Sequence, residues 1–146
     1  MSGVFWHTLE DAVVAALEAG LGAEFKTVRS YQGDWRKGLR QETWRLPAAL
    51  VMLTESRSEQ VGVASFDLTL DLKVLVVVRH LRGEAAGRRE AGGAYDLLAG
   101  VREALWHQDL GLELTPFTLV REEPLLTDGE FTVYAAQYRT TAVQDR

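Results

Sequence analysis

Histidine, cysteine, serine and paired carboxylates carry most metal, nucleophilic and acid-base chemistry, and their spacing in this chain is unfavourable to each. The histidines His7, His80 and His107 stand apart, with no His-x-x-x-His pair, and cysteine is absent. That removes thiolate metal sites, redox pairs and cysteine nucleophiles together. The three histidines are expected in solvated or capping roles. No serine occupies a Gly-x-Ser-x-Gly elbow. Asp67 and Asp71 are four residues apart on one face of an expected strand. Their separation of roughly 13 Å exceeds the ~5 to 9.5 Å at which two carboxylates share acid and base roles on one bond, so they read as a solvated face. Gly83 and Gly87 fall between a strand and a helix, as phosphate loops do. Arg88-Arg89-Glu90 follows them, however, where a Walker loop needs Lys and Ser or Thr. The chain is expected to be non-enzymatic, with no metal and no cofactor.

Arginine and tryptophan remain. Arg79, Arg82, Arg88 and Arg89 cluster around a glycine-rich segment, which suits recognition of a carboxylate-bearing partner or forms a flexible connector. Trp35 and Trp44 fall in a polar stretch with Arg36, Arg40 and Arg45. Rings placed so are either interface hot spots or lids over the rim of a core. Trp6 and Trp106 read as core-edge residues. Against these local basic clusters the whole chain carries 21 acidic and 16 basic side chains, a net charge of -5. That balance argues against a general nucleic-acid binder, which needs a surplus of Lys and Arg.

The elements that must position these residues follow from periodicity. Leu9, Ala12, Val13, Ala16, Leu17 and Leu21 share one helical face, with Thr8 as the expected N-cap and Gly20 and Gly22 as the stop. A short strand is expected within Ala23 to Gln32, then a loop or short irregular helix from Gly33 to Leu46. Pro47 to Leu53 is a compact apolar run that fits a buried strand. From Ala64 to Arg79 the even positions are all apolar. The odd ones run Ser65, Asp67, Thr69, Asp71, Lys73 and then turn apolar at Leu75 and Val77. Period two marks a strand.

Sixteen such residues would extend about 50 Å, against a radius of gyration of ~15 Å for a domain of this size. Part of the strand must project or bend at a bulge. The change on the odd face predicts that Leu75 to Val78 is buried on both sides and that Ala64 to Lys73 has one wet face. Glu55 to Gly62 would then be the tip of an antiparallel hairpin with the preceding strand. Arg82 to Gly93 is expected as a mobile loop. A second helix carries Ala94, Leu97, Leu98, Val101 and Leu105 on one face and ends near Gly111. Strands at Glu113 to Arg121 and Phe131 to Thr141 follow, separated by Pro124 and the Asp128-Gly129 turn signal.

With 146 residues the chain suits one core that needs no disulfide staples. No apolar run approaches the ~20 residues that span a bilayer, and Met1 to Thr8 lacks the pattern of a secretory signal. The predicted fold is a single α+β domain over residues 1-146. It has a mainly antiparallel twisted sheet, a long projecting β-hairpin and two amphipathic helices packed on the sheet.

Three pieces of this sequence together resemble the small Mu-like phage and prophage family assigned as tail terminators. They are Phe66-Asp67-Leu68-Thr69-Leu70-Asp71-Leu72-Lys73-Val74-Leu75-Val76-Val77-Val78-Arg79-His80-Leu81-Arg82-Gly83, the Arg88-Arg89 loop, and Gly93-Ala94-Tyr95-Asp96-Leu97-Leu98 with Val101-Arg102-Glu103-Ala104-Leu105. Leu9-Glu10-Asp11-Ala12-Val13 and Arg45-Leu46-Pro47-Ala48 also fit. The tryptophan-bearing stretch and the C-terminal tail lie outside the resemblance.

The resemblance implies a structural protein with no substrate or cofactor, forming a hexameric ring on the head-proximal end of a contractile or non-contractile tail tube. Such a ring halts tube polymerisation and offers a surface to the connector or capsid side. The implied partners are further copies of the chain, the tail tube protein and sheath or head-tail connector proteins, with no nucleic-acid sequence recognition and no membrane. The implied location is the bacterial host cytoplasm during assembly, then a virion or phage-tail-like particle. On this reading the hairpin residues Glu55, Arg57, Asp67, Asp71 and Lys73 reach a neighbouring subunit. Arg79, Arg82, Arg88 and Arg89 face the tube or an adjacent ring, and Trp35 and Trp44 are further contact candidates. A head-tail joining or tail-completion protein of the same fold stays open as an alternative, as does a small enzyme or ligand-binding domain.

Overall fold

Strand alternation dictates the architecture. In the computed structural model, which describes residues 6–41, 43–80 and 83–145, the period-two segment forms β3 (Ser65–Arg79), the middle of a five-stranded sheet. Around it, in chain order, stand α1 (Trp6–Leu21), β1 (Thr27–Ser30), α2 (Trp35–Gln41), β2 (Ala48–Gln60), α3 (Glu84–Arg89), α4 (Ala94–Leu105), β4 (Thr118–Thr127) and β5 (Phe131–Asp145). The spatial order is β1-β2-β3-β5-β4, with β1 parallel to β2 and the other pairs antiparallel. This is the α+β domain that the periodicity predicts.

The two faces of β3 enter two cores. Its even residues Leu70, Leu72, Val74, Val76 and Val78 are buried with Leu9, Val13, Leu17 and Leu21 of α1 and Ala94, Leu97, Leu98, Val101 and Leu105 of α4. On the other face Leu75 and Val77 join Ala48, Leu50, Phe131, Val133, Ala135 and Leu39 of α2 in a smaller core. The odd face turns apolar at Leu75 because α2 covers it from there. Close approach of α1 and α4 relies on Gly100, where a Cβ would strike the Leu21 side chain.

Five features differ from the expectations above. The first helix already includes Trp6, so Thr8 lies inside it and is not its cap. The supposedly mobile Arg82 to Gly93 segment contains α3, whose Arg88 reaches back one turn to Glu84. The helix α4 stops at Leu105, short of Gly111. The chain after it turns through left-handed residues His107, Leu110 and Gly111, at φ 66°, 56° and 75°, and folds Leu110, Leu112 and Leu114 onto the larger core. The strand expected from Glu113 therefore begins at Thr118. Pro124, expected between strands, sits inside β4 instead, beside a register shift. β4 is an edge strand, where a missing N–H breaks no interior ladder.

The hairpin is longer and better supported than expected. β2 and β3 pair from Ala48↔Val77 to Gln60↔Phe66, with a register shift between Leu53 and Glu55. Glu55 to Gln60 is thus strand, and the tip is confined to residues 61–64. Its polarity reflects two wet faces. β5 runs beside β3 from Arg79↔Phe131 to Ser65↔Asp145, so the projecting element is a three-stranded arm. The 15 residues of β3 span about 50 Å from tip to base.

Candidate assembly surfaces

Register places the charged candidates on the arm. Glu55 stands opposite Asp71, and Asp71 opposite Arg139. Asp71 is only 5% exposed, which corrects its assignment to a solvated face. A buried carboxylate needs partners. Arg139 supplies two hydrogen bonds of 2.7 and 3.2 Å. Arg57 lies 4.0 Å from the same carboxylate and 3.2 Å from Glu55. The bond to Asp71 raises the Arg139 pKa above its ordinary value. Arg139 escaped the sequence reading because it is 68 residues from Asp71. Only the β3–β5 register brings the two together.

Lys73 is half-buried in the row Met52–Lys73–Gln137, on the core side of this network. Asp67 lies on the tip side, directly opposite Glu59. Two like charges facing each other across strands repel. Neither forms an ion pair among the described residues. Beyond them the turn exposes two apolar side chains, Val61 at 54% and Val63 at 99%.

The opposite end of the sheet is basic. The helix α2 lies over the smaller core, tied to β4 by an Arg36 hydrogen bond to the Leu125 carbonyl at 3.3 Å. Between α2 and the ends of β3 and β5 opens a cleft of about 530 Å³, floored by Leu39, Trp44, Leu46 and Phe131. Its walls carry Arg40, Arg79 and Glu130. A second hollow of about 410 Å³ shares Trp44, Leu46 and Arg79 and adds Lys26 and Arg45.

Arg79 pairs with Glu130 at 3.2 Å and lies 5.3 Å over the Phe131 ring. Arg40 pairs with Asp128 at 3.3 Å. Two backbone N–H groups, from Phe131 and Glu130, hold the Asp128 carboxyl below its usual pKa. Glu130 and Arg40 join Arg79 only through the β4–β5 turn and α2, which the sequence reading did not place against each other.

Trp44 and Trp35 are both half-buried. Trp44 meets Tyr31 edge-on at 5.2 Å, over Gly38, where any Cβ would strike its ring. Arg36 stacks 4.5 Å over Trp35. Both rings cover the rim of the smaller core, and Trp44 also lines the cleft.

The four arginines do not form one patch. Arg82 lies outside the described residues. Arg88 is held by Glu84 and by the Tyr95 hydroxyl at 3.0 Å; the two contacts raise its pKa, and its hydrogen bond to Tyr95 lowers that of the phenol. Arg89 is exposed at the end of α3. Of the histidines, His80 is buried and neither ring nitrogen has a hydrogen-bond partner among the described residues. This departs from the solvated or capping role expected of it. Gly87 of α3 packs against it, so close that a Cβ there would meet the His80 Cβ. His107 stacks on Trp106 with ring centroids 5.1 Å apart. Among the described residues no three His, Asp or Glu converge as a metal site, and no helix is long and apolar enough to cross a membrane.

A family model described as bacteriophage Mu, Gp37 matches residues 6–143. No curated protein matches the chain.

Proposed function

The chain belongs to the bacteriophage Mu Gp37 family, and from that premise we propose that it is a structural subunit of phage-tail assembly, specifically a tail terminator. In this reading copies of the chain form a ring on the head-proximal end of the tail tube, halt its growth and present a surface to the head or connector side. The observation that carries it is the three-stranded arm. Beyond Leu53 every residue of β2 is exposed, so this end of the sheet buries little of its own molecule. A sheet extended past its core leaves surface free for a contact outside the subunit, and a heterologous contact between copies closes into a ring when the rotation permits.

No catalytic step is part of the proposal. The Asp71 carboxylate is engaged by two arginines, and the histidines lie apart, His7 in α1, His80 just after β3 and His107 just after α4. The proposed partners are further copies, the tube protein and sheath or connector proteins, within a virion or tail-like particle. Disrupting the gene in a phage that carries it should leave tail tubes of scattered length, visible by negative-stain imaging. Supplying the protein in trans should restore one length. Uniform tubes in its absence would overturn the assignment.

A further inference from the structure

The two ends of the sheet complement each other. At the tip, Val61 and Val63 are exposed between Glu59 and Asp67, two carboxylates with no ion pair among the described residues. At the base, Leu39, Trp44, Leu46 and Phe131 line the cleft together with Arg40 and Arg79, and the adjoining hollow that shares Trp44, Leu46 and Arg79 adds Lys26 and Arg45. Glu130 and Asp128 offset two of these four cations, so a positive surplus remains. Each surface has an apolar centre with charged flanks, and the flanks are opposite in sign.

We propose that the arm tip of one copy docks in the basic cleft of the next, Val61 and Val63 on the apolar floor and Glu59 and Asp67 against its cations. This rests on the reading of the chain as a ring-forming subunit and names where the ring contact lies. The acidic pair is the strongest argument for a cationic partner. Opposed carboxylates cost the isolated arm stability, and bringing cations of the neighbour to that row turns repulsion into attraction. The cleft is a basic surface with room to admit a turn. Acidic pair and cleft lie on the same face of the sheet, that of Leu75 and Val77, at opposite ends of β3. A chain therefore cannot satisfy its own cleft with its own tip, so the contact lies between copies, and tip and cleft are different surfaces, as a head-to-tail ring contact needs.

The absence of cysteine makes the test clean. Val63→Cys and Thr43→Cys introduce thiols at two exposed positions, the tip and the cleft wall. The two sites are about 45 Å apart along the strand, far beyond disulfide reach within one chain. Mixing the two single variants under mild oxidation should give a covalent dimer containing one of each. The double variant should give a ladder of head-to-tail oligomers. Adding Glu59→Lys and Asp67→Lys to the tip variant should cut mixed-dimer yield about tenfold, and Arg40→Glu with Arg79→Glu on the cleft partner should restore it.

A ring in native mass spectra without mixed disulfide overturns the docking and leaves the terminator reading standing. Mixed disulfide in open filaments without a closed ring supports the docking and counts against the terminator. Neither ring nor mixed disulfide at high protein concentration overturns both.

Discussion

β3 is one strand in two environments. From Val74 to Val78 it is buried on both faces, by α1 and α4 on one side and the smaller core under α2 on the other. From Ser65 to Thr69 the same backbone ladder continues between the same two neighbours, but every residue is only half-buried. Hydrogen bonding is common to both halves, and burial is what differs. The net worth of a backbone hydrogen bond is about 1 kcal/mol, whereas apolar burial gives the larger share of a domain's stability. The base of the sheet therefore holds the fold, and the arm is held by its ladder and its ion pairs. Substitutions on the arm can alter assembly while the fold survives.

The largest expected effect tests that division. Leu17 is fully buried between α1 and the sheet, and Leu17→Ala should cost about 2–5 kcal/mol in chemical denaturation. Leu68→Ala, on the half-buried arm of the same sheet face, should cost about 1 kcal/mol or less, because less apolar area leaves water there. Equal costs for the two would mean that the arm is as much a part of the core as the base, and the division would fail.

Asp71 stands at the border between the regions and should show an intermediate effect. It is buried, yet its partner Arg139 is 42% exposed, so the pair lies between the buried and the surface case. Asp71→Ala should destabilise by about 1–3 kcal/mol. In a double-mutant cycle with Arg139→Ala the coupling should be about 1 kcal/mol and weaken with added salt. A coupling of zero would show that the Asp71–Arg139 pair adds nothing to the ladder that holds the arm.

The division was partly legible in the residues. Alternation in Ser65 to Arg79 showed the strand, its length and the change of environment near Leu75, because each is a local consequence of which face meets water. The apolar faces of α1 and α4 were legible for the same reason. The role of Asp71 was not, since its neutralising arginine comes from β5 and depends on register between distant strands. Glu55 to Gln60 looked like a turn because strands wet on both faces lose the apolar half of their pattern. Pro124 looked like a breaker because its position at the sheet edge is a property of topology. The cleft is assembled from α2, β3 and the β4–β5 turn. A single pattern along the chain could show the cations but not their convergence on an apolar floor.

The smallest effect separates arm from base most sharply, because it should have opposite signs in two measurements. Glu59 faces Asp67 across the ladder, and it is exposed, so a lysine there meets no steric barrier. Glu59→Lys converts a repulsive cross-strand pair into an attractive one and should raise monomer stability by about 0.2–1 kcal/mol. The same change places a cation at the surface proposed to enter a basic cleft, so ring formation followed by native mass spectrometry should weaken. A core residue cannot behave this way, since what destabilises the subunit there also removes the assembled state. Loss of both stability and assembly in Glu59→Lys would show that the acidic row is needed for folding. Gain in stability with unchanged assembly would show that the acidic row does not lie in the contact between copies.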